Sequence, residues 1–244
     1  MLHIPSVQEL LLIPSVKRET FKAHDENKVV APEYTTNRPL VLQRDNFTCR
    51  GCSFSVRPDK HFDSSVSQAS VEYSKYLTIH NINDDHNDYR LENLVTLCPF
   101  CHLVFHAGCV GHKSEVKVIF YPWLSQAELN LVVNLLVSCQ TNPESEFYES
   151  AKMLLEHFDT HFIYADSKKL FEQGMSDATS LASALMSLFY KNPGAYKRRG
   201  ELLAGLRFFP IEGAFDKAAT IWVNEWLNDA EWRRIGELWE EQGS

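Results

Sequence analysis

Two cysteine pairs, Cys49-Arg50-Gly51-Cys52 and Cys98-Pro99-Phe100-Cys101, constrain this chain more than any other feature. Each C-x-x-C presents two sulfurs from one tight knuckle, and two knuckles place four thiolates at about 2.3 Å around a tetrahedral Zn²⁺. The spacing therefore predicts one structural zinc held by Cys49, Cys52, Cys98 and Cys101. The 45 residues between Cys52 and Cys98 exceed the usual zinc-ribbon gap, so the intervening segment must carry structure of its own. Tyr73–Ile82 can supply a strand there. Buried free thiols or a redox pair are the competing readings, and two independent pairs weigh against both. Cys109 and Cys139 stand apart and read as half-buried thiols.

At 244 residues the chain has room for one large domain or two small ones, and its apolar runs fall far short of the roughly 20 residues that span a bilayer. No membrane insertion is expected. The first 16 residues lack a basic leader and are cut by Pro5 and Pro14, so neither a signal peptide nor an uninterrupted apolar helix is expected, and the location is read as cytoplasmic.

Three regions follow from texture. Residues 1–37, with their echo of Ile4-Pro5-Ser6-Val7 in Ile13-Pro14-Ser15-Val16, read as an arm lying on the body. Residues 38–112 form a small α+β zinc unit in which Pro39 opens a short helix through Arg44. Residues 113–244 begin with a strand over 115–123, and Ser125-Gln126-Ala127-Glu128 then forms a capping box ahead of a helix. Further helices are expected at Pro143–Phe158, His161–Gln173 stopped by Gly174, Ser176–Tyr190 stopped by Asn192-Pro193-Gly194, Tyr196–Phe209 stopped by Pro210, and about Asp216–Glu241. The fold class is α+β, a four-Cys zinc unit followed by a mostly helical C-terminal region.

Residues 77–106, LTIHNINDDHNDYRLENLVTLCPFCHLVFH, carry a resemblance. A C-x-x-C, a strand ending in His80-Asn81, a loop, Glu92-Asn93-Leu94 and a C-x-x-C-H helix start resemble the four-cysteine branch of the HNH (ββα-metal) nucleases. That likeness implies a strand metal ligand at His80, a loop-bracing amide at Asn93 and a helix ligand at His102, with His106 available to complete a three-His set. It also implies a general base at residue 81. The chain has Asn81 there, and an amide cannot take a proton from water near neutral pH, a loss of typically 10²–10⁴-fold in rate. His86, in the loop, would have to swing back to replace it. The expectation is a vestigial site with no catalytic residue, His80, His102 and His106 serving in packing or hydrogen bonding. A second divalent ion on these histidines is the competing reading.

The stretches IFYPWLSQAELN (119–130), FEQGMSDATSLASALM (171–186) and ELLAGLRFFPIEGAFDKAATIWVNEWL (201–227) resemble a narrower group, the IcmJ/DotN family of Dot/Icm (type IVB) secretion systems. That resemblance implies a zinc-stabilised, non-catalytic adaptor, peripheral to the inner membrane through its complex. Its implied partners are the C-terminal tail of the coupling ATPase, DotL, and other subunits of the coupling complex that receives effectors.

Charge bears on the alternatives, an HNH endonuclease or a nucleic-acid-binding zinc module. The net charge is −8, and residues 38–112 carry seven basic against eight acidic side chains. Affinity for duplex grows with the phosphates neutralised, so nucleic acid is not the expected partner. The stripe Ile221, Trp222, Trp226, Leu227, Trp232, Ile235, Leu238 and Trp239 offers aromatic anchors, but such stripes usually dock a terminal helix to its own core. Lys197-Arg198-Arg199 reads as a solvated helix face, and Phe120, Tyr121 and Trp123 as core. The partner-binding surface is not assigned by the sequence.

Overall fold

In the computed structural model, which describes residues 11–16, 32–55, 77–83, 85, 87–108, 116–141, 143–167 and 178–210, the first cysteine knuckle is delivered by helix α1 (Pro32–Arg44). The helix starts at Pro32 rather than at the expected Pro39. Pro39 lies inside it and forgoes the backbone bond to Thr35, a loss offset by the buried face of Arg38, Val41 and Leu42. Arg38 donates to the Leu77 carbonyl at 2.9 Å, pinning α1 to the start of β1 (Thr78–Asn81).

Strand β1 pairs antiparallel with β2 (Leu94–Leu97), with Thr78 opposite Leu97 and His80 opposite Val95. A short 3₁₀ turn, Leu91–Asn93, feeds β2, and α2 (Pro99–Val104) leaves it directly after Cys98. Of the strand expected over Tyr73–Ile82, residues 73–76 lie outside the described residues. Asp45, at the end of α1, binds the two parts together. Its carboxylate accepts the Thr96 amide at 2.9 Å and pairs with Arg44, which donates in turn to the carbonyls of Leu91 and Leu94.

A second antiparallel pair, β3 (Val116–Phe120) with β4 (Leu206–Pro210), sets Val116 opposite Pro210 and Phe120 opposite Leu206. Helix α3 (Gln126–Gln140) starts at the expected capping box: the Ser125 hydroxyl accepts the Glu128 amide, and the Glu128 carboxylate accepts the Ser125 amide at 2.6 Å. Replacing Ser125 with alanine is expected to cost about 1 kcal/mol, read as a lowered midpoint in urea unfolding. Buried Leu129, Leu135 and Leu136 of α3 share one core with Val41, Leu42, Phe54, Leu77 and Leu97 of the cysteine-bearing unit.

Three helical expectations need correction. The pair Pro143–Phe158 and His161–Gln173 is one continuous helix where described, α4 (Tyr148–Ser167), because nothing at Asp159-Thr160 breaks the backbone ladder. The helix expected at Tyr196–Phe209 is instead two short pieces, α6 (Pro193–Lys197) and α7 (Arg199–Leu202), followed by β4. Gly205 makes the reversal: its φ of +82° favours glycine, and a Cβ there would lie 2.6 Å from the Phe120 ring. Edge strand β3 supplies the partner that turns Leu206–Pro210 from helix to sheet. Helix α5 (Ala178–Lys191) matches the expected Ser176–Tyr190 over its described part. The proposed Asp216–Glu241 helix and its tryptophan stripe lie outside the described residues.

Residues 11–16 do lie on the body. Ser15 exchanges backbone bonds with Val104 and Ala107, the Tyr196 hydroxyl bonds both the amide and the carbonyl of Val16, and Arg199 donates to the Pro14 carbonyl. Arg199 also sits over the Tyr196 ring, so this part of the basic run is docked rather than solvated. Trp123, expected in the core, is 51% exposed, whereas Tyr121 is buried. Among the described residues no helix is long and apolar enough to cross a membrane.

Candidate metal centre

The backbone around each knuckle explains how four sulfurs meet. After α1 the chain passes through Asn46 and Phe47 at positive φ, and Cys49 exchanges backbone bonds with Ser53 and Phe54, closing a tight turn. The Arg50 amide donates to the Thr96 carbonyl at 2.8 Å, which seats this turn on β2. The second knuckle is the start of α2: Cys98 is its N-cap, Pro99 opens it, and the His102 amide bonds back to the Cys98 carbonyl. Packing α2 beside the first turn brings the thiols together.

All four cysteines are buried, and their Sγ atoms lie within 4.8 Å of one another. Cys52 Sγ and Cys98 Sγ are 3.6 Å apart. Four sulfurs at about 2.3 Å from a common centre stand about 3.8 Å apart, so the cage matches a tetrahedral tetrathiolate site. Soft sulfur donors suit zinc. These four residues could therefore hold one metal such as zinc. Burial opposes ionisation of a thiol, and it pushes Cys52 and Cys101 well above the ordinary range, as does sharing the cage with Cys49. Cys49 alone is drawn below that range against burial, by thiol hydrogen bonds from Cys101, Cys52 and Cys98. A cage that favours one anion over four becomes a tetrathiolate only with a compensating cation.

Close approach is needed at Gly51. A Cβ on this residue would lie 2.9 Å from Cys101 Sγ and 3.3 Å from Leu12 Cδ1. Gly51→Ala should therefore displace Cys101 and weaken zinc affinity on the order of tenfold, measured by competition with a chromophoric chelator. Cys139 belongs to another part of the core; it is fully buried rather than half-buried, and burial lifts its thiol to about 12. Cys109 lies outside the described residues.

A second cluster sits across α2. His80 of β1, His102 of α2 and His106 bring ring nitrogens within 4.8 Å of one another, and the Nε2 atoms of His102 and His106 are 3.0 Å apart. His106 lies beyond the helix end at Val104, yet the turn still carries its ring to His102. His80 is buried and stacks on Phe105 at 4.3 Å. Asn81 is buried, and its side-chain amide donates to the Asp88 carbonyl at 2.8 Å. Asn93 donates to the same carbonyl and accepts the Asn83 amide, so both side chains hold the loop between β1 and the 3₁₀ turn. Asp88 closes that loop through a paired contact with Arg90, whose guanidinium holds the carboxyl down at about 2. His86 lies outside the described residues.

The chain is similar to the type 4 apparatus protein DotN of Legionella pneumophila subsp. pneumophila (strain Philadelphia 1). Identity is 27% over 191 residues, covering 78% of this chain and 78% of DotN. No family model matches. The likeness to DotN supports the resemblance to the IcmJ/DotN family drawn from the sequence.

Residues beside the cage escaped the sequence reading. Asn130 and Asn134 of α3 point their amides at the cysteine sulfurs, Asn130 at Cys101 over 3.3 Å. The available signal was two asparagines, four apart, in the otherwise apolar run Leu129–Leu136.

Proposed function

We propose that this protein is a zinc-stapled, non-catalytic adaptor within a Dot/Icm (type IVB) secretion apparatus or a related conjugative system. In this role it grips the C-terminal tail of the coupling ATPase, joins other subunits of the coupling complex and helps to recruit effectors. The observation that carries the reading is the buried four-cysteine cage in a chain similar to DotN over most of its length. The reading takes the β1, β2, α2 order beside that cage as an HNH-like scaffold. Asn81, at the position a nuclease gives its base, spends its amide on the Asp88 carbonyl and acts as a loop brace. The metal would supply cross-linking alone: it ties the turn after α1 to the start of α2, and every contact with a partner is made by the polypeptide.

The test is a pull-down of purified protein with the tail of the coupling ATPase encoded by the same system. A nuclease-resistant complex is expected, and failure to bind any coupling ATPase would remove the adaptor role. The convergence of His80, His102 and His106 favours a second reading, a nuclease-like centre with a divalent ion. The adaptor account expects no plasmid nicking with added magnesium, nickel or zinc, whereas efficient cleavage by the parent chain would favour the second.

A further inference from the structure

Helix α3 is buried nearly all round, with Leu129, Leu131, Val132, Val133, Leu135 and Leu136 apolar, yet Asn130 and Asn134, on the side toward the cysteine cage, are as deeply buried as these neighbours. A polar group in such a place is costly unless it is bonded. Asn134 shows where its bonding lies: its Oδ1 is buried with no partner, while its Nδ2 faces Cys98 Sγ at 3.8 Å and Cys52 Sγ at 3.9 Å. The Asn130 Nδ2 lies 3.3 Å from Cys101 Sγ. On the opposite side of the cage the Gly51 amide reaches Cys49 Sγ at 3.4 Å. Thus each of the four sulfurs has an N–H donor.

Four thiolates around a divalent cation keep an excess of negative charge, and in a buried site that excess is relieved by donors aimed at the sulfurs. Asn130 is itself oriented. Its Oδ1 accepts from Gln126 Nε2 at 2.8 Å, and Gln126 is clamped to β4, donating to the Phe208 carbonyl and accepting the Phe208 amide. A buried chain of hydrogen bonds therefore runs from Cys101 through Asn130 and Gln126 to the second sheet.

We propose that Asn130 and Asn134 are positioning residues of the metal centre, donating N–H···S bonds that stabilise the thiolate ligands, and that Asn130 links the centre through Gln126 to β4. This rests on the reading that the four cysteines hold a metal. Aligned donors make the sulfurs poorer electron donors to the ion, and they fasten α3 and β4 to a site whose ligands all lie on other elements.

The test uses the full chain. Asn130→Leu and Asn134→Leu each remove the donor at similar size. Each is expected to weaken zinc binding by about 10–100-fold in chelator competition. In the cobalt-loaded protein each should also move the sulfur-to-cobalt charge-transfer band to lower energy, with the helical circular dichroism unchanged. A merely packed asparagine would leave that band in place. A measurement on the unaltered chain guards against variants that do not fold: with ¹¹³Cd in the cage, the Asn130 side-chain amide protons should show scalar coupling to the metal, and its absence would overturn the proposal. An unaltered chain that takes up no metal would instead overturn the tetrathiolate reading beneath it. A metal-loaded parent whose leucine variants match it in affinity and spectrum would remove the role of the amides alone.

Discussion

Cys98→Ser is expected to abolish stoichiometric zinc binding and the cooperative melting of residues 32–108. Cys98 is both a sulfur of the cage and the N-cap of α2, so its loss opens the link between the two knuckles. Zinc binding to comparable cysteine sites is worth about 10–16 kcal/mol at neutral pH, as large as the whole stability of a typical domain, about 5–15 kcal/mol. A serine hydroxyl in that position is a poor replacement for thiolate, and the remaining three cysteines would be left buried in a cage built for a cation. Metal analysis and calorimetry of the variant check this directly. A protein that kept both its zinc and its melting temperature would show that the cage is not what holds the unit together.

The second large effect is expected at Asp45. Its side chain is fully buried, it receives the Thr96 amide, and it pairs with an Arg44 that also caps the carbonyls of Leu91 and Leu94. Asp45→Ala strands the guanidinium and the Thr96 amide at once, and breaking one side of a buried pair costs about 3–5 kcal/mol. Asp45→Asn keeps an acceptor for Thr96 but loses the ion pair, so it should be the milder change. Urea unfolding at neutral pH separates the two. Equal, small losses would mean that α1 is fastened to β2 by apolar packing, without help from this carboxylate.

What the sequence disclosed and what it hid have physical causes. The cysteine pairs were legible because metal geometry is local: a C-x-x-C knuckle specifies its own turn, and two of them specify a tetrahedron. The start of α3 was legible for a similar reason, since Ser125 and Glu128 satisfy first-turn amides within four residues. Strand β4 was not. LRFFP reads as the end of a helix until a partner strand is known, and β3 lies some 90 residues earlier in the chain. Pro39 misled in the opposite direction, because proline is favoured in the first turn of a helix but tolerated later when tertiary packing repays the lost bond. The fusion of two expected helices into α4 has a different cause: Asp159-Thr160 contains no residue that interrupts the backbone ladder.

The site was legible in part. His80, Asn81, Asn93 and His102 were singled out by resemblance, and the fold sets His80 and Asn81 on β1, Asn93 on the 3₁₀ turn before β2 and His102 on the short helix that carries the second knuckle. The division of labour among them is visible only in three dimensions: two asparagines share the Asp88 carbonyl, and three histidines meet across α2. The donors on α3 are invisible to motif reading because no spacing rule ties position 130 or 134 to a cysteine 29 or 36 residues away.

The most direct test of the central claim, that a buried tetrathiolate zinc staples this scaffold, is the metal content and thermal transition of the full chain purified without chelator, before and after zinc removal. The account predicts one zinc per chain and loss of the cooperative transition once it is stripped. A chain that contains no metal, or that melts identically with and without it, would contradict the account.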